Sequence, residues 1–384
     1  MTGAQPGFER RIVAALDASP SRIPVILGGC GTGRTWLLQR VRDRVGRGSA
    51  QYIDVERCAT TPERFFNSVI SAAPFPWPGR DRVPSTAREA FDSLLRFFDS
   101  ARGPGGEPCT FLLDEVLELR TFESFPGLRH VLRDLLEGLS TSSNRFVLTT
   151  RYVARAHRLL RDATARFEVM HMPSMVGADI TTVLAPSFNH YEQMATDDRD
   201  FLGRAVQALT DGRAVYVRAL GKAMEEIGSP DPISALTALL TGDGTLTNWC
   251  RYCYELRLHR ARGYGALKAI LDILADEEQP LTLTEISQRL HRTPGSTKDY
   301  LSWLEDVDLV TSRQKRYSFT DPLLRLWVRL HCRPTPPSTE DVVREVQCYA
   351  VTRMPRPEPA PALAYAGVDA TPEERKSWGI IEID

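Results

Sequence analysis

The chain has 384 residues, enough for about two or three domains and at least one large core. Lys and Arg together number 48 and Asp and Glu 49, for a formal net charge of −1. A basic surface over the whole molecule is therefore excluded, and nucleic-acid contact would need a local patch. Seven scattered cysteines are typical of reduced cytoplasmic thiols. The chain has no apolar run of about 18 residues, so no membrane span is predicted.

The first chemically informative stretch is glycine-rich. An apolar run over 23–27 predicts a buried strand, and a helical pattern begins again near Trp36. A strand that breaks into glycines and then opens a helix directs backbone N–H groups and the helix dipole at one point, which suits phosphate. The spacing matches the phosphate-binding loop G-x-x-x-x-G-K-[ST] at every fixed position but one. The predicted nucleotide-binding residues are Gly28, Gly29, Cys30, Gly31, Thr32, Gly33, Arg34, Thr35 and Trp36.

Arg34 occupies the position of the loop lysine, which normally reaches the β and γ phosphates. Arginine keeps the positive charge and can bind two oxygens, but its planar guanidinium is larger than an ammonium group. The first 221 residues contain no lysine, so none of them can substitute for it. The sequence therefore favours binding of ATP or ADP with Mg²⁺ and leaves hydrolysis open.

A second buried strand, over 109–113, ends in Asp114 and Glu115. An apolar strand that ends in two acids is the form of a Walker B element. With Thr35, Asp114 is predicted to hold Mg²⁺, while Glu115 is predicted to orient and deprotonate the attacking water. The alternative, an acidic surface turn, is disfavoured because the stretch follows a matching phosphate loop.

The strand predicted over 145–150 also ends in polar residues. In phosphate-loop folds with an extra strand between the loop strand and the acidic strand, this tip faces the γ-phosphate. Thr150 or Arg151 is therefore predicted to sense that phosphate, and both are candidates for the catalytic set with Arg34 and Glu115. Further arginines at helical spacing indicate either a solvated basic helix or an arginine supplied to a neighbouring subunit: Arg155, Arg158 and Arg161.

The pattern becomes helical over 176–227, and a small helical unit after a phosphate-loop core often acts as a lid. Arg213, at the start of one of these helices, is a candidate phosphate contact. The alternative is an ordinary surface arginine at a helix start.

Three helices over 267–274, 284–290 and 296–307, followed by short strands over 309–311 and 317–319, predict a winged helix. The predicted contacts to double-stranded DNA are Lys298, Arg313, Lys315 and Arg316. Several acids on the third helix oppose DNA, so a protein-binding or purely architectural role is an equal alternative: Asp299, Glu305 and Asp306.

The composition changes after Cys332, where prolines interrupt a polar segment. One helix, over 341–351, is expected to dock on the body, and the remainder is expected to form an extended tail whose apolar end, 380–384, could bind another surface. The predicted domains are a nucleotide-binding core over 1–173, a helical lid over 174–245, a winged helix over 246–332 and a Pro-rich tail over 333–384.

Together, the loop, the acidic strand, the strand tip and the segment Tyr-Ser-Phe-Thr-Asp-Pro-Leu-Leu-Arg-Leu-Trp over 317–327 resemble the archaeal-type ATPases. This group lies near the STAND branch of the AAA+ P-loop NTPases, and the similarity spans 8–331. The resemblance implies an α/β fold with a five-stranded parallel core, an all-α lid and a C-terminal winged helix. It also implies the ligand and catalytic roles given above, and homo-oligomers in which one subunit supplies an arginine to the next.

The sequence departs from this group at Arg34 and at Ala214, which replaces the proline of the Gly-x-Pro lid motif. The leading hypothesis is an ATP-binding switch with slow or conditional hydrolysis that transmits its nucleotide state to the winged helix. One alternative is a hydrolysis-deficient scaffold or regulatory subunit that recruits a protein partner through the winged helix and tail. Another is a DNA-binding regulator.

Overall fold

The structure is a computed structural model that describes residues 6–79, 83–185, 194–259 and 263–355. Within these ranges, the N-terminal part is built on a parallel sheet of five strands in the order β2-β3-β4-β1-β5. The strands are β1 (Ile23–Leu27), β2 (Ala50–Asp54), β3 (Thr110–Asp114), β4 (Arg145–Thr150) and β5 (Phe167–His171). The fold class predicted from the sequence is confirmed, including the extra strand, β4, between the loop strand and the acidic strand.

Helices cover both faces of this sheet, which is why β1 and β3 are buried along their whole length. The core helices are α1 (Pro6–Asp17), α2 (Arg34–Val45), α3 (Val55–Cys58), α4 (Pro62–Ser71), α5 (Ala87–Ser100), α6 (Val131–Thr141) and α7 (Val153–Leu160). A 3₁₀ helix, Val116–Ser124, follows β3. On one face, Phe98, Phe111 and Phe146 pack ring against ring; on the other, Leu38 and Val41 of α2 are fully buried.

The region after β5 is helical, as predicted for a lid. It consists of α8 (Gly177–Leu184), α9 (Thr196–Thr210), α10 (Ala214–Ile227) and α11 (Pro232–Leu240), followed by α12 (Thr245–Leu258). The close α8–α9 contact depends on Gly203, where an added Cβ would lie 2.6 Å from the carbonyl oxygen of Gly177. This unit connects the core to the C-terminal domain.

The C-terminal domain is a winged helix. Its elements are α13 (Tyr264–Asp276), β6 (Leu281–Thr282), α14 (Leu283–Arg289), α15 (Pro294–Asp306), β7 (Val310–Arg313), β8 (Arg316–Phe319) and α16 (Pro322–His331). The wing strands extend further than predicted, because Gln314 and Lys315 form a tight turn with φ of 51° and 63°. A capping box between Thr282 and Glu285 starts α14.

The helix expected over 341–351 is longer, α17 (Thr339–Arg353), and it packs on the lid. Tyr349 Oη donates to the Leu209 carbonyl oxygen at 2.8 Å, and Val342 and Val346 are buried. The extended tail and its apolar end at 380–384 lie outside the described residues. None of the helices in the described ranges combines the length and apolar character needed to cross a membrane.

Candidate nucleotide-binding site

A cleft of about 550 Å³ lies at the carboxyl ends of β1, β2, β3 and β4. Parallel α/β sheets bind ligands at this edge, and the volume falls within the range of small-molecule sites. The core contributes residues of the loop together with Tyr52, Asp114 and Arg151, and the lid and α12 supply the opposite wall. The loop residues that line it are Cys30, Gly31, Thr32, Gly33, Arg34, Thr35 and Trp36.

The loop has the backbone geometry of a phosphate cradle. Gly31 and Gly33 have φ of 79° and 95°, a left-handed conformation that favours glycine. Gly33 directly precedes α2, and no side chain caps that helix. Its first N–H groups and the positive end of its dipole are therefore suited to an anion. Gly28 and Gly29 form the back of the loop, and Gly28 N–H donates to the Thr150 carbonyl oxygen at 3.4 Å.

Thr35 and Asp114 meet at the base of the cleft. Thr35 Oγ1 donates to Asp114 Oδ2 at 2.6 Å, Tyr52 Oη donates to the same oxygen at 2.9 Å, and Thr149 Oγ1 donates to Asp114 Oδ1. Burial and the adjacent Asp114 raise the pKa of Tyr52, which keeps its hydroxyl a donor.

A hydroxyl beside a carboxylate is a ligand pair that fits Mg²⁺. No group of three or more His, Cys, Asp or Glu side chains in the described ranges is arranged to hold a metal ion. A cation held by Thr35 and Asp114 would therefore take its remaining ligands from phosphate and water.

Arg34 is buried and forms hydrogen bonds to other residues of the chain. Its Nη1 donates to the Gly29 carbonyl oxygen at 2.6 Å, and its Nη2 donates to Glu115 Oε1. Its Nε has no hydrogen-bond partner among the described residues, and neither has Nε1 of Trp249 on the opposite wall. Unpaired buried donors in a cleft suit an acceptor-rich ligand such as phosphate. A guanidinium therefore fits the loop, but in this structure it bonds to protein on both sides.

Glu115 lies between two arginines. Besides Arg34, it accepts from Arg151 N at 3.0 Å, and Arg151 Nε lies 3.2 Å from its Oε1. Burial raises the pKa of Glu115, but the charges of Arg34 and Arg151 outweigh that effect and hold the pKa below its ordinary value. A carboxylate held in this way is a weak base. Glu56 pairs with the other side of Arg151.

The strand-tip prediction is corrected in one respect. Arg151 lines the cleft, but Thr150 does not. Successive side chains of a strand point to opposite sides; Thr149 points to Asp114, whereas Thr150 Oγ1 accepts from Tyr152 N at 3.2 Å. Thr149, which the sequence did not single out, is thus the threonine at the acidic pair.

Arg213 also differs from its prediction, because it does not line the cleft. It is buried behind the loop, where its guanidinium donates to the carbonyl oxygens of Cys30 at 3.1 Å and Thr320 at 3.0 Å. It also pairs with Asp321 at 3.3 Å. Asp321 caps α16 and accepts from Tyr216 Oη at 2.7 Å. One side chain therefore joins the phosphate loop to the winged helix.

Further contacts hold the loop from behind. The first turn of the lid helix α10 donates from Val215 N to the Gly31 carbonyl oxygen at 3.0 Å. A Cβ at position 29 would lie 3.0 Å from Asp308 Oδ2, so the absence of a side chain at Gly29 permits this close approach. Arg257 of α12 donates to the Asp308 carbonyl oxygen at 2.9 Å. The loop is thus in contact with the lid, α12 and the winged helix.

Comparison with solved structures gives the same architecture. A Walker-type ATPase of Pyrococcus abyssi matches with 16% identity and a TM-score of 0.65, covering 85% of this chain and 96% of that chain. The fold is that of a Walker-type ATPase. The ORC1 protein of Aeropyrum pernix in complex with DNA matches with 17% identity and a TM-score of 0.43, over 90% of this chain and 94% of that one.

A STAND protein of Pyrococcus horikoshii with a tetratricopeptide repeat sensor matches with 12% identity and a TM-score of 0.30, over 91% of this chain and 45% of that one. The family model of the IclR helix-turn-helix domain matches residues 268–314, from α13 to the wing turn. No curated protein sequence matches the chain. The Walker-type ATPase fold therefore carries a helix-turn-helix domain at its C-terminal side.

Several cleft residues of this Walker-type ATPase fold were not predicted. Tyr52 lies in β2 and Glu56 in α3, which follows β2 directly. The register of β2 pairs Asp54 with Asp114, so knowledge of the strand order would have indicated both residues. Arg218 lies 5.6 Å from the Trp36 ring. No local sequence signal indicated the lining residues of the lid and α12: Val215, Arg218, Trp249, Tyr252 and Cys253.

The predicted DNA contacts are all exposed residues of the winged helix. Lys298, Arg313 and Lys315 are exposed, whereas Arg316 donates to the Pro280 carbonyl oxygen at 2.9 Å and lies 3.8 Å from Glu285.

One of the acids expected to oppose DNA is neutralised within the chain. Asp306 ends α15 and pairs with Arg155 and Arg158 of α7. Its charge is compensated by the core, and the pair docks the end of the third helix on the ATPase domain.

Proposed function

We propose that this chain is an ATP-binding, Mg²⁺-dependent switch whose nucleotide state sets how the winged helix sits on the core. The observation that carries this proposal is Arg213, whose guanidinium bonds both to the loop carbonyl of Cys30 and to Thr320 and Asp321 of the winged helix. A loop that adjusts to phosphate would have to change or strain these bonds. Energetic coupling between two sites requires a physical connection of this kind.

The chain's own groups have distinct roles in this proposal. The backbone of 28–33 and the start of α2 bind the phosphates, and Thr35 with Asp114 holds Mg²⁺, which would neutralise phosphate charge. Arg151 contacts the terminal phosphate, and Glu115 orients the attacking water. Arg34 supplies the charge of the missing lysine.

Slow or conditional hydrolysis follows from the state of Glu115. Its oxygens accept from Arg34 and from Arg151, and its pKa is lowered by both charges. To serve as a base, it must first lose at least one of these contacts. Phosphate that attracts Arg34 away from Glu115 would supply that change.

The exposed basic residues of the winged helix support double-stranded DNA as the partner of the switch. Lys298 lies near the start of α15, and Arg313 and Lys315 lie on the wing. These are the elements that contact DNA in helix-turn-helix domains. Self-association belongs to the same proposal; Arg161 is the exposed candidate for an arginine supplied in trans, since Arg158 pairs with Asp306.

A second candidate function is a hydrolysis-deficient scaffold that binds a protein partner. The buried ion pair between Arg34 and Glu115 favours it, because the pair joins the substituted loop residue to the catalytic carboxylate. In that case the ion pair would be a permanent structural contact rather than one that nucleotide breaks.

Calorimetry with ATP, ADP and a non-hydrolysable analogue tests the first proposal. We expect binding that requires Mg²⁺ and weakens about tenfold or more in Thr35→Ala, which removes one metal ligand. The absence of binding to any of the three nucleotides would overturn it.

Arg34→Lys separates the two functions. We expect it to release Glu115 from one cation and to raise phosphate release at least about tenfold with binding retained. The scaffold predicts neither binding nor turnover in either protein.

A further inference from the structure

Two cysteines meet in the cleft. Cys30 is the third residue of the loop, Cys253 belongs to α12, and both line the cavity. Both are free thiols and buried, with 8% and 3% of their surface exposed. The loop lies against this face of α12: a Cβ at Gly31, next to Cys30, would lie 3.8 Å from Nε1 of Trp249, one helical turn before Cys253. The cleft is the route by which a small molecule reaches them.

The surroundings of Cys30 are cationic. Hydrogen bonding with Cys253 and the charges of Arg257, Arg151 and Arg34 hold the pKa of Cys30 well below its ordinary value, although burial opposes them. The same interaction between the two thiols, together with burial, raises the pKa of Cys253. Cys30 is therefore the more acidic thiol of the two, as in a nucleophile with its resolving thiol.

We propose that Cys30 and Cys253 form a peroxide-reactive thiol pair that closes to a disulfide and thereby fastens the phosphate loop to α12. The effect on nucleotide rests on the proposed function, whereas the disulfide itself does not. The other buried cysteine of α12, Cys250, is not among the cleft residues, so the inference is specific to one pair.

The chemistry needs a hydroperoxide as the oxidant. The Cys30 thiolate attacks one peroxide oxygen, the O–O bond breaks, and hydroxide leaves and takes up a proton to form water. Cys253, deprotonated as it reacts, then attacks the sulfenic sulfur of Cys30, and the S–O bond breaks with loss of a second water. The two thiols lose two electrons in all, and hydrogen peroxide is reduced to two waters.

The disulfide would restrain the part of the loop that must adjust to phosphate. The carbonyl oxygens of Cys30 and Gly31 already accept from Arg213 and Val215, and a covalent link to α12 would add a bond that nucleotide cannot displace. We expect at least about tenfold weaker nucleotide binding by the oxidised chain. Nucleotide already in the cleft should slow oxidation, because it covers the same wall.

Peptide mapping of the full chain tests the pair directly. The chain is treated with hydrogen peroxide, free thiols are blocked with N-ethylmaleimide, and the protein is digested with trypsin without reduction. Trypsin cuts after arginine, so Cys30 lies on peptide 23–34 and Cys253 on peptide 252–257, while Cys250 lies on a separate peptide. We expect the 23–34 and 252–257 peptides to be linked, with the loss of two hydrogens.

Two variants test which cysteine reacts first with peroxide and which one closes the disulfide. In Cys253→Ser the Cys30 sulfenic acid should persist and be trapped by dimedone, whereas in Cys30→Ser Cys253 should stay reduced. Cys348→Ser, which removes an exposed cysteine on α17, should leave the linked peptide unchanged. If either cleft variant fails to fold, the wild-type map still decides.

The outcomes are distinct. Oxidation of Cys348 with Cys30 still reduced, or a disulfide between other cysteines, would overturn the thiol pair. A Cys30–Cys253 disulfide in a chain that binds no nucleotide in either redox state would keep the pair and reject the proposed function. A disulfide that leaves nucleotide affinity unchanged would reject the restraint on the loop.

Discussion

Glu115 compensates two buried arginines, so its charge matters to the empty protein before any chemistry. Glu115→Gln would leave Arg34 and Arg151 without their shared counter-charge. We expect the free energy of unfolding to fall by about 3 kcal/mol, as for other broken buried ion pairs. Urea unfolding measures this loss.

The same change should strengthen the response to nucleotide. The variant cleft carries one more unbalanced positive charge, which favours a triphosphate, so Mg-ATP should raise the melting temperature more than in the wild type. Glu56→Gln is the matched control; among the described contacts it removes the charge beside Arg151 alone, and its side chain is 27% exposed, so the loss of stability should be smaller. Equal stability of Glu115→Gln and wild type would mean that the ion pairs contribute nothing.

Asp308, beside the loop, should make stability depend on pH. Burial raises its pKa to about 6, although Arg257 and Arg213 act in the opposite direction. The unfolded value is about 3.9, so the folded chain binds the additional proton between these values. Its contribution to stability is therefore fully present below about pH 4 and is lost as pH rises through about 6, a change of about 3 kcal/mol.

The side chain of Asp308→Asn cannot titrate, so this variant tests the predicted direction of the pH dependence of stability. The free energy of unfolding of the variant, relative to wild type, should increase by about 3 kcal/mol from pH 4 to pH 7. The test is how the difference in unfolding free energy between variant and wild type changes with pH. The size of that difference at one pH is not informative, because the variant also loses a negative charge beside two arginines. Asp299→Asn, an exposed change on α15, should show no such trend; a parallel pH profile for Asp308→Asn and wild type would contradict the expectation.

The predictions for single residues succeeded where the evidence was the spacing of residues close together in the sequence. The loop glycines, Thr35 and Asp114 could be proposed as site residues because their spacing along the chain matches a known pattern, and all of them lie at the cleft or directly behind it. Thr149 was missed in favour of Thr150 because a one-residue shift in a strand reverses the side that a side chain faces. Arg213 was predicted to contact phosphate, whereas the structure places it against Thr320 and Asp321; these partners lie more than a hundred positions away, so no local pattern indicated them.

Among the elements, helices and strands followed their apolar periodicity, and β4 lies between the loop strand and the acidic strand as expected. The wing differed because two residues with positive φ allow a tighter turn than the five-residue link that the sequence indicated. The wall supplied by α12 could not be predicted, because its position depends on tertiary packing against the loop and α16 rather than on a local pattern.

The start of α10 should act as the connection between the loop and α16. Arg213→Lys keeps a positive charge near Asp321, but an ammonium on a single stem cannot reproduce the fork to Cys30 and Thr320. We expect nucleotide to bind nearly as in wild type, since Arg213 does not line the cleft. The effect of Mg-ATP on amide hydrogen exchange over 320–331 should disappear.

Lys222→Ala on the same helix is the control, since Lys222 is 76% exposed and pairs only within α10 among the contacts described. It should retain the nucleotide-dependent exchange. An Arg213→Lys chain that still transmits the change to α16 would exclude this route and leave the contact between Asp306 and α7 as the connection.

Within the residues that the structure describes, at least two side-chain connections join the core to the winged helix. One runs from the loop through Arg213 to α16, and the other from the β4 tip through α7 to Asp306. Both start at residues that adjoin the cleft. A rigid-body movement of the winged helix is therefore a more economical response to nucleotide than a change within it.

DNA binding should show the electrostatics of a small patch on a nearly neutral molecule. Each phosphate contact contributes about 0.9 to the slope of log affinity against log salt. Replacing Lys298, Arg313 and Lys315 with alanine together should therefore lower that slope by up to about 2.7. Arg316→Ala should have a smaller effect, because Arg316 already bonds to Pro280 O and lies near Glu285. Lys222→Ala should change nothing. Fluorescence anisotropy of a labelled DNA duplex, at several salt concentrations and with and without Mg-ATP, measures the slope and its dependence on nucleotide. If the chain binds no duplex, or binds it with an affinity that salt does not change, DNA is excluded as the partner and a protein partner is favoured.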